Sequence, residues 1–138
     1  MVFILLKNIP EKKLIGEDLE EGLTYNIVVD VNKKDLIIES EGFSIWRRYK
    51  TYEELYSGIV ELIKDILGDN ARIYLGRLPK DALGLSQLSV DSLHLYTIPE
   101  KKRIDIIAPD GAEVLKKTFN DAESYLKTLD KYAKMLKN

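Results

Sequence analysis

One junction constrains this chain more than any other. Phe43-Ser44-Ile45-Trp46-Arg47-Arg48-Tyr49 has the make-up of a strand, and it runs within two residues into a helix. Thr51 opens that helix in a capping box: its hydroxyl can accept a backbone N–H while Glu54 reaches back. Leu55, Ile59, Leu62, Ile63, Ile66 and Leu67 then recur at helical spacing, and Gly68 is a natural stop. A helix with so wide an apolar stripe must lie on a sheet, so the strand before it is held by a buried element.

The same junction gathers unusual chemistry. Within ten residues it holds the only Trp, three further aromatics and three cations. Rings can stack on bases, and Arg and Lys can neutralise phosphates. Side chains alternate along a strand, so Phe43, Ile45, Arg47 and Tyr49 share one face and Ser44, Trp46, Arg48 and Lys50 the other. Trp46, Arg48 and Lys50 are therefore the better patch, and Phe43 and Ile45 the better core candidates. The competing reading makes the aromatics core and the cations a solvated rim.

Hairpins surround the junction. Val2–Leu6 reads as a buried strand, and Thr24–Val31 with Leu36–Ser40 as a hairpin about Asn32-Lys33-Lys34-Asp35. The acidic stretch from Glu17 to Gly22 reads as a solvated loop. Arg72–Leu75 is a short strand, residues 76–85 are irregular, and Ser86–Asp91 reads as a segment with a helical turn. Leu93–Ile98 and Arg103–Ala108 form a second hairpin. After Pro109, an Asp110/Glu113 cap pair opens a helix in which Leu115, Phe119, Ala122, Leu126, Leu129, Ala133 and Leu136 follow a heptad seam. Tyr125 and Tyr132 flank it. The seam either pairs with a second copy or covers its own sheet, and the homodimer is the preferred reading.

The expected fold is thus α+β: a small antiparallel sheet packed against a helix, with a long C-terminal heptad helix. Residues 1–109 would be the core domain and 110–138 a coiled-coil dimerisation element. No internal repeat is visible. A chain of 138 residues with 45% hydrophobic and 32% charged content suits one folded domain. No apolar run is long enough to span a bilayer and no signal-peptide pattern stands at the start, so the expected location is cytoplasmic. Abundant Lys, Glu and Ile without Cys is the composition of a thermophile.

Catalytic patterns are missing. There is no Cys, His94 is the only histidine, and no Gly-x-Ser-x-Gly elbow, phosphate loop or Gly-x-Gly-x-x-Gly occurs. Carboxylates alone leave a magnesium site as the one open route. The expectation is a non-enzymatic protein with no cofactor. The net charge of −2 calls for a local patch in any nucleic-acid binder. Trp46, Tyr49 and Tyr52 would stack, and Arg47, Arg48, Lys50, Arg72, Arg77 and Lys80 would hold phosphates of single-stranded DNA or RNA.

Two resemblances bear on this. Trp46-Arg47-Arg48-Tyr49-Lys50-Thr51-Tyr52-Glu53-Glu54-Leu55 resembles the Arg-Arg-Tyr-x-x-Phe-x-x-Leu segment of phox-homology (PX) domains, and Leu78-Pro79-Lys80 follows in similar order. That likeness, confined to residues 43–80, implies phosphoinositide binding at a membrane, with Arg48 on a phosphate and Tyr49 on the inositol ring. The overall layout, with its aromatic-basic cleft and zipper-like last helix, resembles the ThermoDBP-like archaeal proteins, which implies single-stranded nucleic acid as partner. A protein-assembly subunit is the third reading.

Overall fold

The computed structural model describes residues 2–10, 24–84 and 92–137. The acidic stretch at 17–22 and the turn at 86–91 lie outside them. The chain divides into two compact units, Met1–Ala71 and Arg72–Asn138.

The first unit holds β1 (Phe3–Pro10), β2 (Thr24–Asp30), β3 (Asp35–Ser40), β4 (Phe43–Arg48) and helix α1 (Tyr52–Leu67). Its strands form an antiparallel meander in chain order. Leu55, Ile59, Ile63 and Ile66 of α1 are buried, as are Phe3, Leu5, Tyr25, Ile27, Val29 and Leu36 of the sheet. The expected cap is present, with the Glu54 N–H donating to Thr51 Oγ1 at 3.1 Å. Leu67, placed by the sequence in the stripe, is exposed.

The second unit holds β5 (Ile73–Pro79), β6 (Ser92–Ile98), β7 (Arg103–Ile107), β8 (Glu113–Thr118) and helix α2 (Ala122–Ala133), with short 3-10 turns after β5 and β6. It is again a four-strand antiparallel meander followed by a helix. Residues 76–79, expected to be irregular, belong to β5.

The two units share much of their register. Phe3 pairs with Val29 and Ile4 with Val28 in the first; Ile73 pairs with Thr97 and Tyr74 with Tyr96 in the second. A register shift follows in both, after Ile4 and after Tyr74. Ile38 faces Ile45 as Ile106 faces Leu115. Lys34 and Lys102 both take the left-handed conformation. Their carbonyls accept the N–H of Tyr49 and of Phe119, each at 2.9 Å. Two residues later comes the N-cap, Thr51 or Asp121. The chain is thus a structural repeat of one β-β-β-β-α unit. The sequence hides it because only the inward apolar class is kept at most positions, with Leu95 for Ile27 and Ile104 for Leu36, while outward residues differ.

This corrects the single sheet and the long C-terminal helix. Residues 110–138 are not a separate element: β8 and α2 complete the second unit. The helix has 12 residues. Leu115 is in β8, Phe119 in the connection and Leu136 beyond the helix. Asp110 is no helix cap; it accepts the Ala112 N–H in a turn at 2.9 Å. The working cap is Asp121, which accepts the Ser124 N–H at 2.8 Å. Ala122, Leu126 and Leu129 are buried together with Tyr125, whose hydroxyl meets Thr97 Oγ1 of β6 at 2.6 Å. The seam residues on α2 cover their own sheet, and Ala133 at its end is half-buried. Val114 and Thr118 favour the extended state, and β8 pairing with β7 overrode a chance four-three spacing.

Candidate nucleic-acid interface

β4 is an edge strand, paired only with β3 among the described residues. Its side chains from Ser44 to Arg48 are all exposed. Trp46 is 58% exposed and Ile45 62%, so Ile45 is not the core residue its alternation suggested. At an edge, no further strand shields it.

The two faces of β4 differ chemically. Register places Trp46 beside Ile37 and Val28, and Arg48 beside Asp35, on the face away from α1. The Arg48 guanidinium stands over the Trp46 ring, 5.4 Å from its centroid. It also donates to both carboxylate oxygens of Asp35, from Nε at 2.8 Å and Nη2 at 3.0 Å. That fork occupies two of five donors, and the Arg48 side chain keeps 56% of its surface. Asp35 thereby aims the cation along the indole rather than removing it from solvent.

Ile45, Arg47 and Tyr49 belong to the α1 side. Arg47 lines a hollow with Glu53, Glu54 and Glu61, and the Tyr49 ring lies against Gly58. The expected cluster is therefore split: Trp46, Arg48 and exposed Lys50 remain on one side, while Arg47 and Tyr49 sit among carboxylates on the other. Tyr52 carries Lys34 Nζ 4.5 Å over its ring. Arg72, Arg77 and Lys80 belong to the second unit.

There, the sheet face away from α2 carries aromatics the sequence reading passed over. Tyr74 and Tyr96 are cross-strand neighbours with ring centroids 5.1 Å apart. Tyr74 also donates to or accepts from His94 Nδ1 at 3.0 Å and is 49% exposed. Arg72 lies 4.0 Å over the Tyr96 ring and 3.6 Å from Asp105, which Arg103 grips through Nε and Nη2 at 3.0 and 2.8 Å. Arg77 is opposite His94 in register, and Lys116 opposite Asp105. Arg77, Lys80 and Lys116 are exposed and have no ion pair among the described residues. Alternation in Ile73-Tyr74-Leu75 and Leu93-His94-Leu95-Tyr96 was the available signal.

The chain matches no protein-family model, no curated protein and no solved structure. What the surface does must therefore come from its own chemistry. Among the described residues no group of three or more His, Asp or Glu side chains could hold a metal ion, and no helix is long and apolar enough to cross a membrane.

Electrostatics fixes how the Arg48 fork behaves. The hydrogen bond from Arg48 holds the Asp35 carboxyl below its usual range, against the opposing effect of burial, with the charges of Arg48 and Lys33 adding to it. A carboxyl depressed on folding stabilises the fold above its unfolded pKa, near 3.8, and that contribution is lost as pH falls through the folded value. Asp35→Asn should therefore flatten the acid limb of a stability–pH curve measured by denaturant unfolding, with its cost visible at neutral pH and vanishing in strong acid.

Proposed function

We propose that this protein binds single-stranded DNA or RNA without sequence readout and performs no catalysis. Trp46 supplies a stacking face in the first unit, with Arg48 and Lys50 for phosphates. Tyr74 and Tyr96 play the same part in the second unit, with Arg72, Arg77 and Lys80. The observation that carries the reading is the exposed indole with a guanidinium over its ring and a carboxylate holding that guanidinium in place. A large aromatic left open beside cations is what a base and its phosphate need. Glu53, Glu54, Glu61 and Asp65 line the α1 side of β4, so a polyanion is directed to the Trp46 face.

A phosphoinositide reading fits less well. The Arg48 and Tyr49 that the PX resemblance would use lie on different sides of β4, one on Asp35 and the other against Gly58.

The test is salt-dependent anisotropy with labelled single strands and duplexes. Arg48 and Lys50 in the first unit would neutralise about two phosphates, as would Arg72 and Arg77 in the second, so each unit contributes a log–log slope of about −1.4 on single strands. Duplex should bind more weakly, because its bases are unavailable for stacking. A flat salt response would sink the proposal.

A further inference from the structure

We propose that the free edge of β4, with the groove between β4 and α1, takes an extended peptide of another protein as a fifth strand. The peptide carries apolar and basic side chains on its groove-facing positions. This goes beyond nucleic-acid binding and uses the α1 side of β4, a groove that Trp46 also borders.

The backbone comes first. An edge strand turns alternate N–H and C=O groups outward, ready to pair with an incoming segment. In the second unit the other edge, β5, is covered at one point, since the Arg77 carbonyl accepts the Lys137 N–H at 2.8 Å. β4 has no such cover among the described residues: Ser44 to Arg48 contain no proline, and Ile45 projects into solvent.

Beside this edge lies a groove of about 360 Å³. Leu36, Ile38, Ile45 and Leu62 make it apolar, and Glu61 and Asp65 line its helix side. Gly58 keeps it open. A Cβ there would collide with the Tyr49 hydroxyl, so any side chain would drive the ring from its seat. Glycine inside a helix costs about 1 kcal/mol relative to alanine, and the space for Tyr49 is what it provides here.

Charge selects the occupant. Glu53, Glu54, Glu61 and Asp65 oppose the single cation Arg47 along the two adjoining hollows. A phosphate chain is repelled from this side. An added strand sends every second side chain to the groove. Leucine-like residues would rest on the floor, and arginine or lysine would lay its stem there with the cation at the carboxylates.

The probe is a labelled peptide, Thr-Leu-Thr-Arg-Thr-Leu-Thr-Arg-Thr, titrated by anisotropy and by amide shifts. The expected result is saturable binding with the largest shifts in Ser44–Arg48. Affinity should fall about tenfold or more in the Glu61→Lys/Asp65→Lys double variant, with Glu replacing Arg in the peptide, and when the peptide's strand-pairing amides are N-methylated. Both substituted residues are exposed, so the fold should persist. Oligonucleotide affinity should be unchanged or higher in that variant, which separates failure of this proposal from failure of the nucleic-acid reading. No saturable binding, equal affinity for the N-methylated peptide, or indifference to the charge reversal would overturn it. So would a self-association of the free protein through β4 that the peptide cannot displace, which would make the occupant a second copy.

Discussion

Leu126→Ala should lower the free energy of unfolding by about 2–5 kcal/mol, the range for emptying a well-packed leucine site. Leu126 is 1% exposed, as are Leu129 and Tyr125 beside it. The site cannot collapse cheaply. The Tyr125 hydroxyl is held on Thr97, and Thr97 Oγ1 donates onward to the Arg103 carbonyl at 2.8 Å, so the ring and the sheet are tied at fixed separation. Chemical denaturation of wild type and variant measures the loss directly. A zipper seam predicts something different: a change in oligomeric mass with the fold of each subunit intact. If Leu126→Ala left unfolding unchanged and altered only the mass in sedimentation, the assignment of α2 to its own sheet would be wrong.

Trp46→Ala should weaken oligonucleotide binding by about tenfold to a hundredfold, since one stacked base is worth ~1–3 kcal/mol. Stability should change little. The indole is more than half exposed, and its removal leaves the Arg48–Asp35 fork in place. That separation of affinity from stability distinguishes a presented ring from a packing ring. Trp46→Phe should recover part of the affinity, because a smaller π-face still stacks. Anisotropy with a labelled single strand at low salt reads both variants.

Local signals in the sequence foretold local structure well. The Thr51 cap, most of the α1 stripe, Gly68 and both central hairpins stand where the residues put them, because capping and alternation act over a few positions. What failed was everything that depends on long-range pairing. Leu115 and Phe119 fit a heptad by spacing alone, yet β7 offered Leu115 a ladder partner in Ile106, and tertiary pairing outweighs helix propensity. The repeat was invisible for a related reason. A register can be shared with few shared side chains, so Val28 and Tyr96 occupy one place in the fold with unlike chemistry. At the site, the register follows the alternation rule, with Trp46 opposite Ile37 and Arg48 opposite Asp35, yet Trp46 also borders the hollow that Ile45 and Arg47 line. Alternation could not show that β4 is an edge, which is why Ile45 lies open. Nor could it show Asp35, an unremarked turn residue in the sequence, aligning Arg48. The same rule applied to β5 and β6 would have found Tyr74 and Tyr96.

Because Trp46 is the only tryptophan, its emission reports on one position. Titration with a single-stranded oligonucleotide should quench that emission, saturating at the same stoichiometry as anisotropy. High salt should abolish both signals together. Saturable binding that leaves the tryptophan emission untouched, or no binding at low salt, would contradict the claim that this indole is the stacking face for a nucleic-acid strand.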